Sequence, residues 1–110
     1  IPHGIASAIM MPVVLRWNYD VIITPLARLS KEISLPQSSD PDTKCADLLI
    51  DHINNLLERL GLNKRLRNYI EQKDELQKIL QPILQSPCTK ANPRIVDNET
   101  VLLNLLHQAW

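Results

Sequence analysis

Between Lys44 and Gly61, apolar side chains recur at Ala46, Leu49, Ile50, Ile53, Leu57 and Leu60. Steps of three and four place them on one face of an α-helix. Lys44, Asp47, Asp51, Asn54 and Glu58 occupy the other side. Ahead of the stripe, Asp40-Pro41 offers a capping residue followed by the proline favoured at a helix start. Behind it, Gly61 offers a left-handed C-terminal cap.

The rest of the chain repeats this pattern. Ile5, Ile9 and Val13 recur every four residues, with Ala6 and Met10 beside them. Pro12 removes one helical hydrogen bond, which predicts a kink or break there. The first helix is expected to end near Trp17 and Asn18. Thr24-Pro25 again reads as cap then proline and predicts a second helix with Leu26, Leu29 and Ile33 on one face, stopped by Pro36. Gln37-Ser38-Ser39-Asp40 is a polar, turn-prone linker. After Gly61 a short basic helix is expected over residues 64–69. A further helix starts at about Lys73, with Leu76, Ile79, Leu80, Ile83 and Leu84 buried and Pro82 interrupting it late. Residues 86–94 read as a loop. Asp97 is expected to cap a last helix whose core face is Leu102, Leu105, Leu106 and Ala109. The fold class is all-α: a compact bundle of about five or six helices, one domain over residues 1–110.

Composition narrows the function. A length of 110 residues suits one domain and buries roughly two thirds of the unfolded surface. Twelve Lys and Arg balance twelve Asp and Glu, so no basic excess draws a phosphate backbone, and nucleic acid is not an expected partner. With only Gly4 and Gly61, neither a dinucleotide-binding glycine array nor a P-loop can be built. Cys45 and Cys88 form no metal-ribbon spacing. They read as free thiols in a reducing cytoplasm, or else as a single disulfide. The apolar run Ala8 to Leu15 is too short for a membrane span and lacks a basic leader. A cytoplasmic protein without a membrane partner is the expectation. Because the sequence opens at Ile1 rather than Met, it reads as a piece of something longer.

Few residues offer chemistry. His3 stands just before the first helix, but one imidazole is a weak signal when zinc or iron sites need three or four converging ligands. His52 reads as the edge of a buried stripe. His107 falls in a final helical turn, where a cation suits the helix dipole. Lys64, Arg65 and Arg67 could meet a phosphate, yet Glu71, Asp74 and Glu75 follow closely and a solvated face is the simpler reading. Trp17 and Trp110 read as packing. No nucleophile–base pair is visible. The residues alone describe no complete active site.

A resemblance adds to this. Pro2-His3-Gly4, then Ala6, Ala8, Pro12, Val13, Val14, Leu15 and Asn18, resembles a segment of iron-containing (group III) alcohol dehydrogenases. Asn92-Pro93-Arg94, a short spacer and a helix ending in Ala109-Trp110 resemble the end of that family's C-terminal helical domain. The Leu-rich helix running into Leu60-Gly61-Leu62 is similar as well. The resemblance implies a parent with an NAD(P)-binding α/β domain ahead of an all-helical one, and a divalent metal, iron or zinc, between them. It implies one Asp and three His around the metal, which acts on the alcohol or aldehyde oxygen while hydride moves to or from the nicotinamide. Carried over by the motif, His3 is one of those ligands.

The other ligands and the glycine-rich nucleotide loop have no counterpart here. The chain is therefore expected to be inactive alone and to hold neither metal nor NAD(P) tightly. Its partner is the missing nucleotide-binding domain. Without that partner, the face formed by Ile5, Ile9, Met10 and Val13 is expected to be exposed, which predicts self-association or a rearranged first helix. The alternative reading is a stand-alone helical interaction module without catalysis.

Overall fold

The computed structural model describes residues 1–36 and 39–110, so Gln37 and Ser38 of the polar linker lie outside the described residues. The described residues are helical or irregular. α1 spans His3–Glu32, α2 Asp42–Arg59, α3 Leu80–Gln85, α4 Pro87–Lys90 and α5 Glu99–Gln108. Two 3-10 segments, Leu66–Asn68 and Lys73–Ile79, fill the stretch between α2 and α3. The all-α expectation holds. None of the described helices is long and apolar enough to cross a membrane.

α1 corrects the expectation of two helices. It runs unbroken through both Pro12 and Pro25, and Thr24, expected to be a cap, is an exposed mid-helix residue. Each proline removes a hydrogen bond and costs about 3 kcal/mol in a helix interior. Packing on both sides outweighs that. The first half buries Ala8 and Ile9, and the second half buries Leu26 and Ala27. Full burial of a single Ile or Leu stabilises by about 1.5–3 kcal/mol. A 30-residue helix is about 45 Å long, and α1 sets the 47 Å long axis of the molecule.

Two apolar clusters sit along this rod. Near its far end, Leu26 meets Ala46, Leu49 and Ile50 of α2, the stripe that the sequence marks most clearly. Near its beginning, Ile9 meets Leu66, Leu76, Leu80, Leu102, Leu106 and Ala109. Ile5, Met10 and Val13 pack partly buried against this second cluster. That corrects the expected exposure of the first helix: its apolar face is covered by the chain's own C-terminal residues.

Helix ends refine the cap assignments. α2 begins at Asp42 after Pro41, without a side-chain cap; Asp40 instead accepts from the Lys44 ammonium at 3.3 Å. The last helix is capped by Asn98, whose side-chain oxygen accepts from the Val101 N–H at 2.9 Å, and not by Asp97. Asn caps as well as Asp, and here it stands one residue nearer the first turn. Gly61 does close α2, at φ 69°. Its N–H donates to the Glu58 carbonyl and the Leu62 N–H to that of Leu57, the paired bonds of a Schellman motif. The basic segment is a single 3-10 turn, with Arg65 donating to the Gln108 carbonyl at 2.7 Å. The expected loop over 86–94 contains the short helix α4.

Candidate functional site

His3 is the first residue of α1, exposed, with Pro2 in the capping position and the Ala6 N–H bonded to the Pro2 carbonyl at 3.0 Å. The imidazole is thus carried by a rigid element and available to a neighbour. His52 is half-buried in α2, and His107 is exposed in the last turn of α5. Among the described residues, no group of three or more His, Cys, Asp or Glu could share a metal ion. His3 therefore has no partners among the described residues with which to complete such a site. Lys64, Arg65 and Arg67 are exposed, as a solvated face requires. Cys45 is buried, Cys88 is exposed, and both are free thiols.

A different constellation lies halfway along α1. The Asn18 and Asn92 side chains exchange two amide hydrogen bonds, 2.8 Å from Asn18 Nδ2 and 2.7 Å from Asn92 Nδ2. Asn18 is only 5% exposed, so this pairing satisfies a polar group that water barely reaches. Arg94 lies over the Trp17 ring, 3.6 Å from guanidinium carbon to ring centroid, and donates to the Trp17 carbonyl at 2.9 Å. The Asn92-Pro93-Arg94 segment is thereby latched onto the middle of α1. Trp17 serves as a platform for Arg94, and Trp110 packs against the cluster around Leu102 and Leu106.

The sequence contains this latch but does not announce it. Asn18 closes one motif and Asn92 opens the other, 74 residues apart, and no spacing rule joins them. The two segments that carry the family resemblance are thus two halves of one contact.

The family model "Fe-containing alcohol dehydrogenase family, C-terminal" matches residues 1–110. The chain belongs to the iron-containing alcohol dehydrogenase family. Within this family it is 26% identical over 109 residues to lactaldehyde reductase of Escherichia coli (strain K12), covering 99% of this chain and 28% of that protein. It is 28% identical to the NADPH-dependent butanol dehydrogenase of Clostridium saccharobutylicum, with 90% of this chain and 26% of the relative covered. To 4-hydroxybutyrate dehydrogenase of Cupriavidus necator it is 31% identical over 96 residues, covering 84% of this chain and 23% of the relative. The chain spans about a quarter of the length of these relatives.

Proposed function

We propose that this chain is the C-terminal helical part of an NAD(P)-dependent, metal-dependent alcohol dehydrogenase of the cytoplasm. It supplies one metal ligand, His3, and a wall of the substrate cleft. The family match over the whole chain carries this reading, with the Pro2-His3-Gly4 segment placing an exposed imidazole at the first turn of α1. The activities for which the relatives are named point to an alcohol or aldehyde as the substrate class. The donor set in this chain does not fit a complete iron or zinc site, because a single imidazole holds such ions weakly. The remaining ligands and the nicotinamide come from a nucleotide-binding domain, the principal partner under this reading.

A second reading, a helical interaction module without catalysis, is favoured by one observation: the apolar face of α1 is covered within the chain, so the chain holds a core of its own. Metal content and nicotinamide-linked turnover of the complete gene product separate the two. Under the dehydrogenase reading, the complete protein binds iron or zinc and turns over simple alcohols, and His3→Ala removes both properties. The 110-residue chain, titrated calorimetrically with Fe(II) and Zn(II), shows no tight His3-dependent binding and no turnover. A complete protein that keeps its metal and its rate after His3→Ala overturns the ligand assignment. One with neither metal nor turnover supports the module.

A further inference from the structure

Val21, Pro25, Leu29 and Ile33 follow one another at steps of four, so they form one apolar ridge along the second half of α1 and its C-terminal cap. All four are exposed, Val21 at 54%, Leu29 at 51% and Ile33 at 46%. α2 packs on the neighbouring side of the helix, through Leu26. The C-terminal segment is fastened at Trp17 and Asn18, about one turn short of Val21. An α-helix repeats its direction about every eighteen residues, five full turns. Val21 therefore points the same way as His3, Pro25 as Ser7 and Leu29 as Met11, and each of these earlier residues is exposed as well. One strip of α1 thus bears the imidazole at one end and the ridge at the other, with the Asn18 latch between them. Gly4 lies on this strip too. A Cβ built there meets nothing within 4 Å, so no described residue accounts for a glycine in the first turn, where alanine serves a helix better.

We infer that this strip is the docking surface for the rest of the complete polypeptide, the part that brings the other metal ligands; the inference rests on the dehydrogenase reading. A second copy of the chain is a poorer occupant. A stable interface takes about 800 Å2 and about 20–30 residues from each side, and a ridge of four residues supplies a small fraction of that. A covalently joined neighbour needs far less, because the tether already holds it at high effective concentration. Reach points the same way. His3 and Ile33 are about 45 Å apart along the helix. The 109 matched residues are 28% of lactaldehyde reductase, so a protein of that length has about 280 residues more, and a globular body of that size is about 50 Å across. A body that meets His3 therefore also reaches Ile33, on the same side of α1. The Asn92–Arg94 segment closes the middle of the strip with the chain's own polar contacts, and the two ends are left to the neighbour. Its matching surface carries metal ligands opposite His3 and aliphatic side chains opposite the ridge.

The test uses the complete gene product with a thiol added at one position at a time. Val21→Cys and Leu29→Cys lie on the ridge, and having two guards against one variant that fails to fold. Arg16→Cys is the control: Arg16 is exposed and stands about two and a half turns from Pro25, on the opposite side of α1. Iodoacetamide alkylation of each thiol is followed by peptide mass spectrometry, in buffer and in urea. The three thiols should react alike in urea. In the native protein the ridge thiols should react about a hundredfold or more slowly than the control, because a covered thiol is reached only through local opening. Ridge thiols that keep their urea rates overturn the docking surface, and iron or zinc content with turnover then leaves the dehydrogenase reading standing. Equal slowing at all three positions overturns it too, since the ridge would not be the face that is covered. Protection lost on dilution to monomer, as sedimentation reports, assigns the ridge to a second copy and overturns the inference as well. A complete protein with neither metal nor turnover removes the dehydrogenase reading, and the inference falls with it.

Discussion

The hairpin of α1 and α2 and the layer of short helices after Gly61 grip the same rod in different ways. The hairpin is sealed by one continuous stripe, with Ala46, Leu49 and Ile50 no more than 2% exposed beneath Leu26. The C-terminal layer gathers its core from Leu66, Leu76, Leu80, Leu102 and Leu106, one or two residues per element. It leaves an open apolar cavity beside α1, lined by Met10, Val14 and Leu105, and is fastened by the Asn18–Asn92 and Arg94–Trp17 contacts. The hairpin thus gains its order from apolar packing with little waste. The layer needs specific polar contacts because short elements each bury little.

Truncation of the two cores should separate them most widely. Ile50→Ala removes a side chain packed on every side, and the loss should fall near the upper part of the range for such changes, about 3–5 kcal/mol. Leu105→Ala acts on a side chain that already faces the cavity, makes fewer contacts on that side, and should cost about 2–3 kcal/mol. Urea midpoints of the two variants measure the difference. Equal losses would mean that the cavity side is packed as tightly as the hairpin.

The latch is the next largest effect. Asn92→Ala leaves the buried Asn18 amide without its partner, which costs about 1–3 kcal/mol. The response should be local. Amide hydrogen exchange should accelerate in the segment from α4 to the start of α5 and stay unchanged in the middle of α2. Asn18→Ala added to Asn92→Ala should cost less than the sum of the single changes, since the two residues act as one contact. Additive losses would show that the pairing contributes nothing beyond its separate side chains.

This division also explains what the sequence reveals. The stripe from Ala46 to Leu57 is local: each residue lies three or four positions from the next, so periodicity alone places α2 and its buried face. Leu102, Leu105, Leu106 and Ala109 are legible for the same reason. The unbroken path of α1 is not legible, because local rules weigh Pro12 and Pro25 against a helix while the opposing burial comes from residues about 20 to 100 positions away. His3 is singled out only by its motif, since its surroundings in the fold add no further ligand among the described residues. The Asn18–Asn92 pair and the cavity are not legible, since both depend on how two distant segments meet.

The smallest contrast compares the closures of the two long helices. α1 ends in the same bonding pattern as α2: the Ser34 N–H donates to the Lys31 carbonyl at 3.0 Å and the Leu35 N–H to that of Ser30 at 3.1 Å. The left-handed position is filled by Ser34, at φ 59°, where α2 uses Gly61. A residue with a Cβ pays about 1–2 kcal/mol for that conformation, partly offset because glycine loses more freedom on folding. Ser34→Gly should therefore stabilise the chain by about 0.5–1 kcal/mol, a rise in melting temperature of a few degrees. Gly61→Ser should lower it by a similar amount. Nothing lies within 4 Å of a Cβ built at Gly61, so its penalty is conformational and not a clash. Opposite shifts of similar size in thermal melts would make the two closures equivalent. Destabilisation by both changes would show that the exposed Ser34 side chain helps to close the hairpin, and that even its well-packed end relies on a polar contact.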